Sequence, residues 1–332
     1  MIMHASDIRF HVVLCSHNGA AFIEAQIASI LRQGDGIAVL HIHDFASGDK
    51  SRELLDGLKA QVGSRIQLHY HPDAPGAAAS FIRALQHTAP VLTEQSLVFL
   101  ADQDDIWLPE KLSTVKNEIE RRRLSPAEPF ILFHDVHVVD DTLQMIRPTY
   151  YTGNPFCVPR DIDRTRLLMA NPAIGHTMLM SPALINLMTV WPDTDRYMMH
   201  DWLAMLIASR AGRIEQIPIA LSLYRQHENN VLGAYRTRGG IASVSRLLRF
   251  TDRMVVQAVG FARAAHDLSI KRAITSSGLE AWCRCGYRPA ALALSMGAVM
   301  RGPTWQRKAI GLLLLARAVI GPANGKTGQG RS

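Results

Sequence analysis

The stretch LVFLADQDDIWLP, residues 97–109, is an apolar run that ends in three carboxylates. The apolar part predicts a buried strand, and Pro109 fits the first turn of a helix that follows it. Side chains two apart on an extended segment point the same way, so we expect Asp102 and Asp104 to converge while Asp105 points elsewhere. Convergent carboxylates suit Mg²⁺ or Mn²⁺ shared with substrate phosphates. An acidic turn that only precedes a helix is the alternative.

Strands and helices alternate on either side of this stretch. The alternation predicts an α/β fold with a mostly parallel sheet flanked by helices. Ligands of such sheets bind at the carboxyl ends of the strands, which is where the aspartates fall. Beyond residue 139 the pattern loosens into a mixed region with a helix after 200–202. The predicted strands are 10–15, 38–43, 66–70, 97–100, 130–139 and one that ends at Arg225.

Charge is distributed unevenly along the 332 residues, whose net charge is +7. Residues 235–332 hold sixteen Lys and Arg against three Asp and Glu, a net +13, which leaves −6 on the rest. This asymmetry predicts an acidic catalytic body and a basic helical C-terminal region that meets anions. Helices are predicted at 241–259 and 305–320, and the apolar stretch 309–316 is too short to span a bilayer.

Two interpretations of the basic region stay open. An interfacial helix with basic flanks would hold the chain on an anionic membrane surface. A helical subdomain would instead pack on the catalytic body or form a homo-oligomer. No nucleic-acid partner is predicted, because the region has no recognisable binding motif or run of stacking aromatic residues.

Cysteine usage and the first residues bear on the compartment. The four cysteines include no C-x-x-C pair, so they are interpreted as thiols in a reducing compartment. The first ten residues contain no long apolar run, which argues against a signal peptide. We therefore expect a cytoplasmic protein, free or peripheral on the cytoplasmic face of the membrane.

Several motifs in collinear order carry a family resemblance. Together they resemble bacterial glycosyltransferases of family 2, especially rhamnosyltransferase-like members, over roughly residues 8–234. The resemblance implies a GT-A fold, with a nucleotide-sugar half at about 1–125 and an acceptor half at about 126–234. The motifs are CSHNG at 15–19, Asp44 with SGD at 47–49, DQDDIWLP at 102–109, GHT at 175–177, HDW at 200–202 and YRQH at 224–227 with Asn229 and Asn230.

The resemblance also implies an activity and roles for particular residues. The activity is inverting, metal-dependent transfer of a sugar from a nucleotide-sugar to a glycan or lipid-linked glycan, and rhamnose from dTDP-rhamnose is the best single expectation. Asp201 matches the catalytic acidic position and opens a helix, so it is the expected general base; a helix cap is the alternative. The expected metal ligands are Asp102, Asp104 and His227. The residues expected at the nucleotide-sugar are Ser16, His17, Asn18, Asp44, Ser80, Asp102 and Arg225, and those on the acceptor side are His176, Thr177, His200 and Trp202.

Two residues depart from the family pattern. Phe45 stands where relatives have a second aspartate near the base, so Asp44, or stacking and backbone groups, would hold the base. Ser80 stands where relatives often have Asn. A nucleotidyltransferase of similar fold is a rival, but the segment after the first strand lacks its Gly-rich cationic loop. A nucleotide-sugar-binding protein with a decayed site is a second rival, which the intact Asp102, Asp104 and Asp201 oppose.

Overall fold

A computed structural model describes residues 7–151, 167–227, 241–268, 283–301 and 305–321. Within them a nine-stranded sheet carries helices on both faces. Asn229 and Asn230 of the last sequence motif lie outside the described residues. The strands are β1 (Arg9–Ser16), β2 (Ile37–Phe45), β3 (Ile66–His71), β4 (Ser96–Ala101), β5 (Ile106–Trp107), β6 (Phe130–Val139), β7 (Met145–Arg147), β8 (Met178–Met180) and β9 (Arg213–Arg225). The helices are α1 (Ile23–Leu31), α2 (Ser51–Val62), α3 (Ala77–Thr88), α4 (Lys111–Arg122), α5 (Pro182–Thr189), α6 (His200–Ala211), α7 (Ile241–Asp267), α8 (Tyr287–Arg301) and α9 (Trp305–Ile320).

The sheet has a parallel half and a mixed half. Its order is β3-β2-β1-β4-β8-β6-β9-β5, with β7 paired to β6. The first four strands are parallel, as the sequence predicts. In the second half β6 and β9 are also parallel, but β8 runs antiparallel to β4 and β6, β7 to β6 and β5 to β9, so the sheet as a whole is mixed rather than mostly parallel. An antiparallel strand as short as β8 carries too little sequence to be predicted.

Parallel pairing brings the carboxyl ends of the strands to one edge. Ser16 at the end of β1 is paired with Asp44 on β2, and Leu14 is paired with Ala101 at the end of β4. The loops that follow these strands therefore meet, and the aspartate motif lies between them. This edge is where open α/β sheets place their ligands.

Two apolar cores cover the two faces of the sheet. Along β1, Val12 and Leu14 belong to one core and Val13 to the other, as alternation along a strand requires. Helices α1, α2 and α4 pack on the first face, and α3, α5 and α6 on the second. The basic C-terminal helices join the second core: the rings of Trp191 and Phe261 stack with centroids 5.4 Å apart.

The C-terminal helices agree with the sequence in position. The prediction of a helix at 305–320 is confirmed by α9, and the one at 241–259 is confirmed and extended by α7 to Asp267. Across the described part of the chain, no helix combines the length and the apolar character needed to cross a membrane.

Histidines form a stack on the strands β1, β2 and β3. The rings of His43 and His69 lie with centroids 4.5 Å apart, and His69 lies 4.3 Å from His87 on α3. Nδ1 of His11 is 3.0 Å from Nε2 of His41. Burial, then neighbouring positive groups, lowers the pKa of His11 to about 4, of His41 to about 3, of His43 to about 2 and of His69 to about 4. The other charges beside the stack are Arg9 next to His11, and Arg83, Asp73 and Asp44 next to His71.

We predict that this stack makes the fold acid-sensitive. The folded pKa values are lower than the unfolded value of about 6.5, so unfolding takes up protons below that pH, and stability present above pH 6.5 is lost as the pH falls towards 4. Protonation of the buried His11, His41 and His43 on unfolding should together lower the free energy of unfolding by about 4 kcal/mol per pH unit below pH 6. Urea unfolding at a series of pH values measures this slope.

A pair of variants tests the origin of that slope. His41→Gln removes one buried imidazole and should flatten the pH dependence by about a third, since each titrating group contributes equally to the slope. His266→Gln removes an exposed imidazole on α7 and should leave the slope unchanged. A wild-type unfolding free energy that stays constant from pH 6.5 to 5 would contradict the prediction.

Candidate active site at the carboxyl edge of the sheet

The aspartate motif forms a tight turn between β4 and β5. β4 ends at Ala101, so the alternation of an extended strand does not apply to residues 102–105. Asp104 and Asp105 turn to different partners, and the expectation that Asp105 points elsewhere than Asp104 is confirmed. The expectation that Asp102 and Asp104 converge is wrong in one respect, because Asp102 lies on the side of Asp105.

Asp104 meets His227 across the end of β9. Its Oδ2 lies 2.8 Å from Nε2 of His227, and the ring of His227 stacks on Phe22 at 5.0 Å. Burial, followed by the charges of Asp105 and Asp102, raises the pKa of Asp104 to about 8. Three carboxyl groups crowded at a half-enclosed edge favour a cation. A carboxylate with an adjacent imidazole fits Mn²⁺ or Mg²⁺ as a donor set, so these residues are compatible with the predicted metal.

Arg225 donates hydrogen bonds to the aspartate turn from the interior of the protein. Its backbone N–H donates to Oδ1 of Asp105 at 3.1 Å, and its Nε donates to the carbonyl of Asp104 at 2.8 Å. The guanidinium also lies over the ring of Phe22, 4.7 Å from its centroid. Arg225 is 5% exposed, so these contacts hold the aspartates in place from inside the protein. Its predicted contact with the nucleotide-sugar stays a prediction.

A buried group of charges lies beneath the turn. Nδ1 of His176 is 2.9 Å from Oδ2 of Asp105 and 3.6 Å from Oδ2 of Asp102. Burial would lower the pKa of His176, but these two carboxylates raise it to about 9. Among the described residues these three side chains form a group that could hold a metal ion. Without a metal ion, His176 and the two carboxylates form an internal ion pair, and a metal ion bound by this group would displace the imidazole proton.

Lys111 completes the buried group. Its Nζ donates to the carbonyl of His176 at 3.2 Å and lies 3.8 Å from the centroid of the Trp107 ring. Burial holds the pKa of Lys111 well below its usual range, against the charge of Asp105. His176 and the two carboxylates thus offset one another beneath the turn, while the side chain of Asp102, 36% exposed, reaches its surface.

The loop after β1 is held by hydrogen bonds to the aspartate turn and to the loop after β2. Gln103 Oε1 accepts from Ser16 Oγ at 3.1 Å and from the backbone N–H of His17 at 2.9 Å. Asn18 adopts a left-handed φ of 51°, and its Oδ1 accepts from Gly48 N–H at 2.8 Å. The predicted nucleotide-sugar residues of this loop are therefore brought together with the aspartate turn.

Asp44 is buried, and its carboxylate forms an ion pair and accepts a hydrogen bond. Its Oδ2 lies 2.8 Å from Nε of Arg52, and its Oδ1 accepts from the hydroxyl of Ser47. Phe45 is also buried and stacks on His71 with centroids 4.1 Å apart. The ring of Phe45 is therefore not presented to a base, and the choice between Asp44 and stacking with backbone groups stays a prediction. Ser80 lies on the first turn of α3, 6% exposed.

Asp201 is the second residue of α6, next to the buried group. Its Oδ1 accepts the backbone N–H of Trp202 at 2.6 Å, and Met199 occupies the N-cap position, so the helix-cap alternative for Asp201 is wrong. Burial first, and then the charge of Asp102, raises the pKa of Asp201 to about 7. A carboxyl group with that pKa can exchange a proton near neutral pH.

The residues predicted for the acceptor side line the interior around Asp201. His200 stacks on Phe81 with centroids 4.0 Å apart, and Trp202 Nε1 donates to the carbonyl of Leu167 at 2.6 Å. Thr177 Oγ1 donates to the carbonyl of Ile174 at 2.7 Å. His200, Trp202, Thr177 and His176 are 0–5% exposed, so they pack beneath the site and not at its surface. Their contact with an acceptor stays a prediction.

Sequence reasoning missed three residues of this site. Gln103 lies within the quoted stretch 97–109 and Lys111 lies two residues beyond it, but neither is given a role by the sequence, and Asp105 is not paired with His176. The signal for Lys111 is weak, since a lysine in the first turn of a helix is usually exposed. Its burial follows from the aromatic ring of Trp107 and from the carbonyl beside it.

The site and the fold define a class of protein. A parallel four-stranded half, followed by a mixed half, with acidic residues at the carboxyl edge, is the GT-A arrangement of glycosyltransferases. Residues 11–161 match the family model described as "Glycosyl transferase family 2". That match shows a glycosyltransferase family 2 domain over a little under half of the 332 residues, and the chain is a glycosyltransferase.

Individual relatives agree with this family. The chain is 24% identical to the dTDP-rhamnosyl transferase RfbG of Shigella flexneri over 235 residues, which is 67% of this chain and 74% of RfbG. The structure of S. aureus TarS 1–349 in complex with UDP-GlcNAc shares the fold with a TM-score of 0.55 and 15% identity, covering 94% of this chain and 82% of TarS. The mannosyltransferase PcManGT of Pyrobaculum calidifontis, in complex with GDP-Man and Mn²⁺, has a TM-score of 0.51 and 18% identity, covering 94% and 87%.

Proposed function

We propose that this chain is an inverting, divalent-metal-dependent transferase that moves rhamnose from dTDP-rhamnose to a polysaccharide or lipid-linked glycan on the cytoplasmic side of a membrane. The observation that carries the proposal is the pair formed by Asp104 and His227 at the carboxyl edge of the sheet, 2.8 Å apart. The likeness to RfbG supports the choice of dTDP-rhamnose. The organisation is proposed as a donor half at about 1–125, an acceptor half at about 126–234, and a basic helical region at 235–332.

The donor end of the site is built for a diphosphate. Asp104, His227 and Asp102 would hold Mg²⁺ or Mn²⁺, which would neutralise charge that develops on the departing nucleoside diphosphate. The residues of the chain itself position that end. Gln103 ties Ser16 and His17 to the aspartate turn, and Arg225 holds the backbone of Asp104 in place. A preset geometry of this kind avoids reorganisation during the reaction.

Asp201 would act on the acceptor. Its carboxylate takes the proton of the attacking hydroxyl, whose oxygen then bonds to the anomeric carbon as the bond to the diphosphate oxygen breaks. Attack from the side opposite the leaving group inverts the anomeric centre. A pKa of about 7 suits this role, because the group is available as a base near neutral pH and is basic enough to drive transfer.

Thermal unfolding with nucleotide-sugars tests the proposed donor. dTDP-rhamnose with Mn²⁺ at about 100 times its Kd should stabilise the folded chain by about 3 kcal/mol, since it binds only the folded state. Chelation of the metal should remove most of that gain, and free rhamnose should give none. Stabilisation by UDP-GlcNAc or GDP-mannose in place of dTDP-rhamnose would reject rhamnose as the sugar. No stabilisation by any of the three would contradict a donor site.

A further inference from the structure

The C-terminal helices turn one face to the catalytic body and another to solvent. Phe261 on α7, Leu294 on α8 and Leu314 on α9 are at most 1% exposed and belong to the core that α3, α5 and α6 share. The contact is specific, since the backbone N–H of Met198 donates to Oε1 of Gln257 at 2.9 Å. The packing interpretation of the basic region is therefore correct for these inner faces. It leaves the outer faces to be explained.

The outer face of α9 is an apolar stripe. Leu312 is 64% exposed, Leu315 44%, Val319 73% and Ile320 72%. Positions i, i+3, i+7 and i+8 lie on one side of a helix, opposite the buried Leu314. Single exposed apolar residues are common, but four that adjoin on one helix mark a surface with a partner. We call these four residues the α9 stripe.

The outer face of α7 is cationic. Arg249, Arg253 and Arg263 are exposed and recur at intervals of four and ten residues, which places them along one side of the helix. Within the described residues, none of these three forms an ion pair with a carboxylate. Residues 235–332 as a whole have a net charge of +13, which has the same sign as these arginines. We call these three residues the α7 arginines.

We propose that the α9 stripe and the α7 arginines dock this enzyme on an anionic lipid bilayer. Helices α7 and α9 are in contact, so apolar side chains of one helix and basic side chains of the other can bind one interface, the first by insertion and the second by attraction of anionic headgroups. A protein partner would need no such excess of positive charge. The arrangement deepens the proposed function, because a lipid-linked acceptor is presented at that surface, but docking does not require any donor to bind.

Vesicle sedimentation of the full chain tests the apolar half of this surface. Wild type should bind vesicles of phosphatidylcholine with phosphatidylglycerol at low salt, and should not bind phosphatidylcholine alone. Combined Leu312→Ser, Leu315→Ser and Val319→Ser should lower the vesicle partition coefficient by about tenfold or more, because the inserted apolar area is lost. The control is Val190→Ser with Ile219→Ser, which removes two apolar side chains that are 65% and 53% exposed on the catalytic body. This control should bind as wild type does.

Charge variants test the cationic half. Arg249→Gln and Arg253→Gln should each lower the partition coefficient about fivefold at low salt, and the effect should shrink as salt rises. Arg9→Gln and Arg123→Gln, each of which removes one charge from an exposed site on the catalytic body, should each change binding little. Wild type that ignores phosphatidylglycerol vesicles, or serine and glutamine variants that bind as wild type does, would overturn the proposal. Dispersal of a wild-type dimer by the serine variant, without vesicles, would assign the stripe to a second copy and overturn it as well. Donor stabilisation, measured separately, reports on the proposed function alone.

Discussion

Asp104→Asn is expected to abolish metal-dependent binding of the nucleotide diphosphate and to lower turnover by about two to three orders of magnitude, the usual loss when one preset electrostatic group is removed. Asn keeps the size of the side chain but lacks the carboxylate, whose Oδ2 lies 2.8 Å from Nε2 of His227, as a metal ligand. The fold should persist, since a buried carboxyl with a pKa raised to about 8 costs stability when ionised. Calorimetric titration of Mn²⁺ with nucleotide measures the loss.

The matched control for this variant is Asp35→Asn. The side chain of Asp35 is an exposed carboxylate in the short turn before β2, at the opposite edge of the sheet from the aspartate turn. The control should bind metal and nucleotide as wild type does. Equal nucleotide affinity in wild type and Asp104→Asn, with and without metal, would remove Asp104 from the metal site.

Asp201→Asn should leave donor binding intact and lower the rate of transfer by about two to four orders of magnitude, the range for loss of a general base. Asn retains an oxygen that can accept the N–H of Trp202, so α6 should begin as in wild type. In wild type kcat/KM should rise with pH through about 7 and then level off, because the base must be deprotonated. The residual rate of the variant should lack this rise.

Asp195→Asn is the control for the base. Asp195 is an exposed carboxylate shortly before α6, and its change should not affect turnover or the pH profile. If Asp201→Asn turns over within a few-fold of wild type, Asp201 is not the base. A wild-type profile that is flat between pH 6 and 8 would lead to the same conclusion.

The parts of the fold that the sequence predicts are those that bury continuous apolar runs. The strands β1 and β4 are enclosed on both faces, so every residue of 97–100 is apolar and the strand is recognised at once. The sequence does not indicate the direction of β8. This strand has three residues and lies between β4 and β6, so its direction depends on its pairing with those strands. Sheet order in the second half depends on contacts far apart in the chain, which a single sequence does not reveal.

The sequence predicts which residues lie near the site better than it predicts which of them contact one another. The sequence predicts Asp102, Asp104 and His227 as metal ligands, and the structure brings Asp104 and His227 together while Asp102 lies beside Asp105 and His176. The pairing of Asp105 with His176, 71 residues apart, could not be read from spacing, because it depends on how the short turn at Gly175 enters the core. The turn at 102–105 also ends the strand alternation on which the sequence argument depended.

The most direct test of the account is release of the nucleoside diphosphate, followed by phosphorus NMR. The full-length chain, a glycan or lipid-linked glycan acceptor, Mn²⁺ and dTDP-rhamnose are incubated together, with the same mixture lacking metal and the Asp104→Asn protein alongside. The account predicts that dTDP accumulates with metal and acceptor in wild type, and that both the chelated sample and the variant stay near the background rate. Release of dTDP at the same rate in all three samples, or no release from a folded wild-type chain that binds the donor, would contradict metal-dependent sugar transfer at this site.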